Sequence, residues 1–299
     1  MSQLEYQATN QQAISGKKAS SPWSDGWRRL KKQKLAMIGG GIILFFILIA
    51  VLAPVITTYS FKEVSLADRF LPPLSEGHIF GTDDLGRDIF TRIIYGAQIS
   101  LRVGFFAVIG SIIVGTILGL LAGFYGRWID MLISRIFDIM LAFPSILLAI
   151  AIITILGRSL TNALIAIAII NIPTYGRLVR SKVLSLKEEE YILAAKAVGM
   201  KNRRIIFHHL LPNSMTPIIV QGTLGIATAI IETAALGFLG LGAQPPTPEW
   251  GTMLADSKDY IQLAPWTVIF PGLSIMLVVL GFNLFGDGLR DALDPKMKE

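Results

Sequence analysis

Residues 101–124 read LRVGFFAVIGSIIVGTILGLLAGF. After Arg102 at its edge the run carries no charge, and about 20 consecutive apolar residues are what an α-helix needs to cross the hydrocarbon core of a bilayer. Gly115, Gly119 and Gly123 recur every four residues inside it. That spacing lays three bare patches of backbone on one helix face, which suits close helix packing and, alternatively, a close pass by a transported solute. Five further apolar runs lie outward from it, at 35–56, 137–156, 162–178, 215–241 and 266–286. Asn-Gly hairpins and ten-residue alternating strands do not occur, which disfavours a β-barrel. The expected fold is an all-α integral membrane protein with about six transmembrane helices.

Composition agrees. Of 299 residues, 53% are hydrophobic and only 16% charged, where a soluble domain carries about 25% charged residues. There is no cysteine, so disulfides and thiolate metal sites are excluded. The adjacent His208 and His209 sit in a basic polar stretch and read as helix-surface histidines rather than a metal pair. The net charge of +6 does not form an aromatic-interleaved basic face, so nucleic acid is not an expected partner.

The cations instead lie between the apolar runs and set a topology. With the N-terminus inside, twenty Lys and Arg fall on inside segments and six on outside segments, with Arg102 at a boundary. That bias predicts both termini in the cytoplasm. The expected division is a cytoplasmic N-terminal tail (1–34), a first transmembrane anchor helix (35–56) and an extracytoplasmic loop (57–97). A transmembrane permease domain (98–290) follows, carrying a cytoplasmic loop at 179–214, and then a cytoplasmic tail (291–299). The first run begins after a long polar stretch and is longer than a signal-peptide core, so it is expected to stay in the membrane. The basic stretch 27–34 reads as an amphipathic segment at a lipid surface.

The inside loop carries its own helix signals. Glu188, Glu189 and Glu190 favour the positive end of a helix dipole. Ala194, Ala195 and Ala197 are strong helix formers of little bulk. Gly199 is placed to end that helix in the left-handed conformation. Asn202 is expected to cap a second helix, and Pro212 to stop or redirect it. A small-residue corner flanked by Lys196, Lys201, Arg203 and Arg204 suits docking into a groove on an acidic partner. On the residues alone, a solvated connector suits the loop equally.

The stretch from Glu188 to Asn213 resembles the EAA loop of binding-protein-dependent ABC importer permeases. Ala194, Ala195, Gly199, Leu211 and Pro212 match that family's pattern, and Leu193 departs from it where the family has an acidic residue. Gly81–Arg92 with Gly96 and Ser100, and Gln244–Leu254, resemble segments of the C-type dipeptide and oligopeptide permeases. The resemblance covers roughly residues 30–295. It implies a type I importer permease fold, forming a heterodimer with a homologous second permease. It also implies two cytoplasmic ATPase subunits or domains, an extracytoplasmic solute-binding protein, and a plasma or inner membrane of a bacterium or archaeon. The coupling contact would fall on Ala194, Ala195, Ala197 and Gly199, with Lys196, Arg203, Arg204 and Pro212 beside them. Dipeptides or oligopeptides are the implied solutes, with nickel, glutathione or another small solute as the alternative.

No P-loop is present, because Gly16-Lys17 lacks the upstream glycine. The chain is therefore expected to be non-catalytic and without a cofactor of its own, with ATP and Mg on the partner ATPases. A stand-alone secondary transporter or channel competes with this account, but it leaves the glycine-cornered loop without a purpose. Asp83, Asp84 and Asp88 beside Arg87 and Arg92 read as an internally paired loop rather than an acid/base or cation site. Trp250 and Trp266 fit an interfacial belt. Glu232, inside the fifth run, is the one carboxylate expected at hydrocarbon depth. Its insertion cost of about 2.5–3.5 kcal/mol points to the bundle interior or to a translocation pathway. Asp138 is expected to pair locally with Arg135. Pro144, Pro173 and Pro271 interrupt apolar runs and are candidates for kinks.

Overall fold

The computed structural model describes residues 22–294, and among them every regular element is helical. Residues 1–21 and 295–299 lie outside the described residues, and with them most of the N-terminal tail, Gly16, Lys17, Lys296 and Lys298. The helices are α1 (Pro22–Leu30), α2 (Lys34–Val51), the short α3 (Ala53–Ile56) and α4 (Ile89–Tyr125). Next come α5 (Arg127–Ala142), α6 (Ser145–Leu156), α7 (Leu160–Leu186), α8 (Glu190–Ala197) and α9 (Asn202–Ile205). The last are α10 (Leu211–Phe238), α11 (Trp250–Ser257) and α12 (Trp266–Leu293).

Five helical stretches are long and apolar enough to cross a membrane: α2, α4, α7, the continuous segment Asn202–Phe238, and α12. The sixth crossing is not the single helix expected over 137–156. The chain there is two helices, α5 and α6, bent by 97°, which pass as a sixth crossing only when counted together as one broken span. The break falls at Phe143, in extended backbone, and Pro144, at φ −54° and ψ 128°. Proline lacks an N–H and disfavours helix at the residue before it, so the chain leaves the helix there. Pro173 and Pro271, by contrast, lie inside unbroken helices.

The centre of the bundle is the contact of α4 with α7. A Cβ at Gly115 would stand 2.8 Å from the Ile172 carbonyl oxygen, one at Gly119 2.5 Å from that of Gly176, and one at Gly123 2.8 Å from the Val183 side chain. Of the two roles open to the glycine stripe, the structure shows helix packing. Phe137 of α5 is fully buried against Gly176 of α7 and clusters with Ala122 of α4. A second core joins α2 to α12 and α10 through Phe46, Ala50, Val278 and Phe282. Beyond Lys34 at its start, the outer side of α2 exposes apolar side chains, among them Leu44, Phe45, Ile47 and Leu48, as a lipid-facing helix should.

The loops gather at two ends. At one end the segment before α4 packs on the segment between α10 and α12. The Arg92 guanidinium donates to the carbonyls of Phe61 (3.2 Å) and Pro246 (3.3 Å), and Trp266 Nε1 donates to the Thr82 carbonyl (3.1 Å). At the other end, α1 meets the end of α12 through Leu30, Ala36 and Ala292. Residues 187–201 form the second feature of that end. The arrangement holds together segments that the charge count assigns to one side.

Candidate functional site

The loop between α7 and α10 is shorter than expected, because α7 continues to Leu186 and the chain is helical again from Asn202. Glu190 opens α8 with a negative charge at the positive end of the helix dipole. At the other end, Met200 N donates to the Ala195 carbonyl and Gly199 N to the Lys196 carbonyl, both at 3.0 Å. This is the paired bonding of a Schellman cap, and Gly199 takes the left-handed φ of +74° that the motif needs. No atom lies within 4 Å of a Cβ built on Gly199, so the glycine serves conformation and leaves the corner open.

Two expectations about this segment are corrected. Lys201, not Asn202, is the cap of α9, and no side chain bonds the free amides there. Pro212 does not stop the helix. It lies near the start of α10, inside the continuous segment Asn202–Phe238, after a widened turn at Ile206–Leu210. Pro212 has no N–H to give to the carbonyl four residues earlier. The widened turn absorbs that gap, with Leu211 N donating to Ile206 O and the Asn213 side-chain Nδ2 donating to the His209 carbonyl at 2.6 Å.

The helical period divides the corner residues. Ile192 and Ala195 face inward and join Leu120 of α4, Val179, Val183 and Leu186 of α7, Ile205, and Leu210 in one apolar cluster. Ala195, 7% exposed, is therefore part of the packing that anchors the corner. Ala194, Lys196, Ala197, Gly199, Arg203, Arg204 and Pro212 are exposed. Two residues outside the expected set enlarge the surface: Val198 at 79% exposed and Leu193 at 47%. Leu193 stands four residues before Ala197, on the same outer face of α8, and that spacing was the available signal for it. The corner is an apolar knob with a basic rim, packed on the ends of three long helices.

Glu232 on α10 accepts a 2.8 Å hydrogen bond at Oε2 from Asn171 Nδ2 on α7. It is partly exposed, so it is not sealed inside this chain's core. Asp138 does not pair with Arg135 as expected. It bonds Arg177 of α7 at 2.6 Å, because the helix bend at Pro144 leaves α5 beside α7.

At the opposite end, the Asp83–Arg92 segment is internally paired. Asp83 accepts from Arg87 Nε at 2.6 Å and from the amides of Leu85 and Arg87. Asp88 caps α4 through the Thr91 amide and bonds His78 Nδ1 at 2.9 Å. Burial holds the Asp84 and Asp256 carboxyls above their ordinary values, and the nearby Arg87 pulls both back. Trp250 does not lie in an interfacial belt. It is fully buried, and its Nε1 donates to the Ile93 carbonyl at 3.1 Å. Glu249, which the sequence did not mark, caps α11 by accepting from the Gly251 and Thr252 amides at 2.9 Å. Its burial pushes that carboxyl up, against the pull of those donors.

Residues 115–299 match the family described as binding-protein-dependent transport system inner membrane component. Residues 21–73 match the N-terminal transmembrane domain of oligopeptide transport permease C. The chain belongs to the binding-protein-dependent transport permeases. This permease is 71% identical over 94% of its length to the dipeptide transport system permease protein DppC of Alkalihalophilus pseudofirmus, covering 92% of that protein. It is 49% identical over 93% of its length to the glutathione transport system permease protein GsiD of Salmonella typhimurium, covering 92% of that protein. Its fold matches the inward-facing MetNI methionine ABC transporter with a TM-score of 0.55 at 20% identity, over 68% of this chain and 96% of that one. An amino acid ABC transporter matches at 0.53 and 14% identity, over 67% of this chain and 94% of that one. The permease is thus a multi-pass membrane subunit with the ABC importer fold.

Proposed function

We propose that this permease forms, with a homologous second permease, the membrane path of an ATP-driven importer of dipeptides or oligopeptides. The observation that carries the solute class is the 71% identity to a dipeptide permease along 94% of the chain. The driving step is supported by the corner around Gly199, whose exposed side is apolar and basic while its buried side is fixed to α4, α7 and α10. ATP and Mg are held by two cytoplasmic ATPase subunits, and an extracytoplasmic binding protein delivers the solute. Both termini and the Gly199 corner face the cytoplasm in this account.

The mechanism follows from rigidity. When the ATPase pair closes, the groove that grips Leu193, Ala194, Ala197 and Val198 moves. Ile192 and Ala195 are packed against the helix ends, so α8 cannot move without carrying α7 and α10. Those two helices hold Asn171 and Glu232. Access switches between two discrete arrangements that nucleotide and solute bias differently.

Proteoliposomes test this directly. With both permeases, the ATPases, binding protein and internal ATP, a labelled dipeptide should accumulate inside. Vesicles holding this permease alone should take up none. Uptake by the single chain without nucleotide would place it with stand-alone transporters instead, and accumulation of glutathione but no dipeptide would reassign the solute.

A further inference from the structure

Glu232 is a carboxylate with no cationic partner among the described residues. Its Oε2 is engaged by Asn171, and among the described residues no hydrogen bond reaches its Oε1. Asn171 lies eleven residues into α7, about 16 Å from that helix's outer end at 1.5 Å per residue. With 15 residues of α7 beyond Asn171, the pair stands close to the middle of the span, slightly to its outer side in the topology proposed above.

The surface around the pair is polar in a way that the lipid face is not. Thr228, one turn before Glu232, is exposed, and Gln221 lies further along the same helix face. Gly225, between them, lies against the Tyr175 hydroxyl of α7, so no side chain fits at 225 without moving the tyrosine. Among the described residues, Tyr175 is the titratable group beside Glu232, while α4 and α6 pack Val103, Ala107, Ala149 and Ile153 in the adjoining cluster and α4 also brings Ser111, whose hydroxyl donates to the Ala168 carbonyl of α7. The exposed side of α2 carries no such stripe. A row of polar side chains on transmembrane helices is stable facing water or a polar partner, not lipid.

We propose that Glu232, oriented by Asn171, is the subsite that receives the primary ammonium group of the solute as it enters the membrane path. An ammonium supplies the donors that Oε1 lacks and the charge that offsets the carboxylate, and both count for more away from bulk water. The assignment rests on the peptide-import role proposed above, since a peptide's α-ammonium is the cation in question. It makes Asn171 a positioning residue.

The test compares wild type with Glu232→Gln and Glu232→Asp in the full reconstituted importer, with the same binding protein and an uncharged-side-chain dipeptide. Glu232→Gln should lower kcat/KM for uptake at pH 7 by about tenfold or more, the worth of one charge-assisted hydrogen bond. The peptide α-amino group loses its proton near pH 8. The ratio of wild-type to Glu232→Gln uptake should therefore fall toward one as the pH passes that value, a trend that a purely structural defect does not produce. Glu232→Asp should recover part of the uptake with the wild-type pH profile. Equal uptake by wild type and Glu232→Gln across the pH range overturns the subsite. So does failure of Glu232→Gln to co-purify with the second permease while Glu232→Asp does, which would assign the carboxylate to a cation of that subunit. A wild type that imports no dipeptide at all would instead remove the role on which the subsite depends.

Discussion

Gly199→Asp should leave the permease inserted and assembled while reducing binding-protein-dependent uptake about tenfold or more, the scale of a lost interface anchor. The argument has two parts. Gly199 holds φ at +74°, and a Cβ there meets nothing within 4 Å. The fold therefore loses only the cost of a side chain in left-handed backbone, about 1–2 kcal/mol and less for aspartate, which visits that region more readily. The docking surface loses much more. The corner presents Ala194, Ala197 and Val198 with Lys196, Arg203 and Arg204 at its rim. In the coupling proposed above, a carboxylate at its tip would repel the acidic groove that complements that rim. Gly199→Asn controls for bulk and backbone without charge, and should retain more uptake than Gly199→Asp. The measurement is initial uptake per assembled complex. Wild-type uptake by correctly assembled Gly199→Asp would remove the corner from the coupling path.

Gly119→Leu should abolish recoverable folded permease. The backbone oxygen of Gly176 would stand 2.5 Å from the first atom of any side chain at 119, and the Val179 Cβ 2.8 Å. Backbone in a long helix cannot rotate away as a side chain can, so α4 and α7 must separate along their length. Overpacking of a core that can adjust costs about 1–3 kcal/mol. Here the adjustment disrupts the central helix pair, so the expected loss exceeds that range. Gly41 of α2 provides the contrast, since no atom lies within 4 Å of a Cβ built there. Gly41→Leu should give a normal, monodisperse peak in detergent gel filtration, where Gly119→Leu gives aggregate or nothing. A normal peak for Gly119→Leu would mean that the helices do not pack as described.

The runs that cross the membrane were legible because hydropathy over twenty residues is a strong, local signal. What hid was wherever protein rather than lipid covers a helix. The outer third of α4, from Ile89 to Leu101, carries the buried Arg92 and so falls outside the apolar run, though it is continuous helix. The first half of the broken crossing is amphipathic, with Asp130, Arg135 and Asp138 in α5. Asp130 is taken up by Arg180 of α7, a pairing 50 residues distant that no local pattern announces. Trp250 looked interfacial by position and is a core residue by contact, since its partner Ile93 lies 157 residues away. At the corner, the glycine cap was readable from residue type alone. The division between Ala194 outside and Ala195 inside needed the packing of α7 and α10 to define which side of α8 is covered.

The permease contains no cysteine, so one introduced thiol reports on one position. Val198→Cys, at the 79% exposed tip of the corner, tests the central claim most directly. A membrane-impermeant maleimide should leave it unlabelled in intact cells and label it fully in inside-out vesicles stripped of the ATPase subunits. Adding those subunits back should block the labelling. Labelling from the outside of intact cells, or labelling unchanged by the ATPases, would contradict a cytoplasmic corner gripped by a motor on another chain.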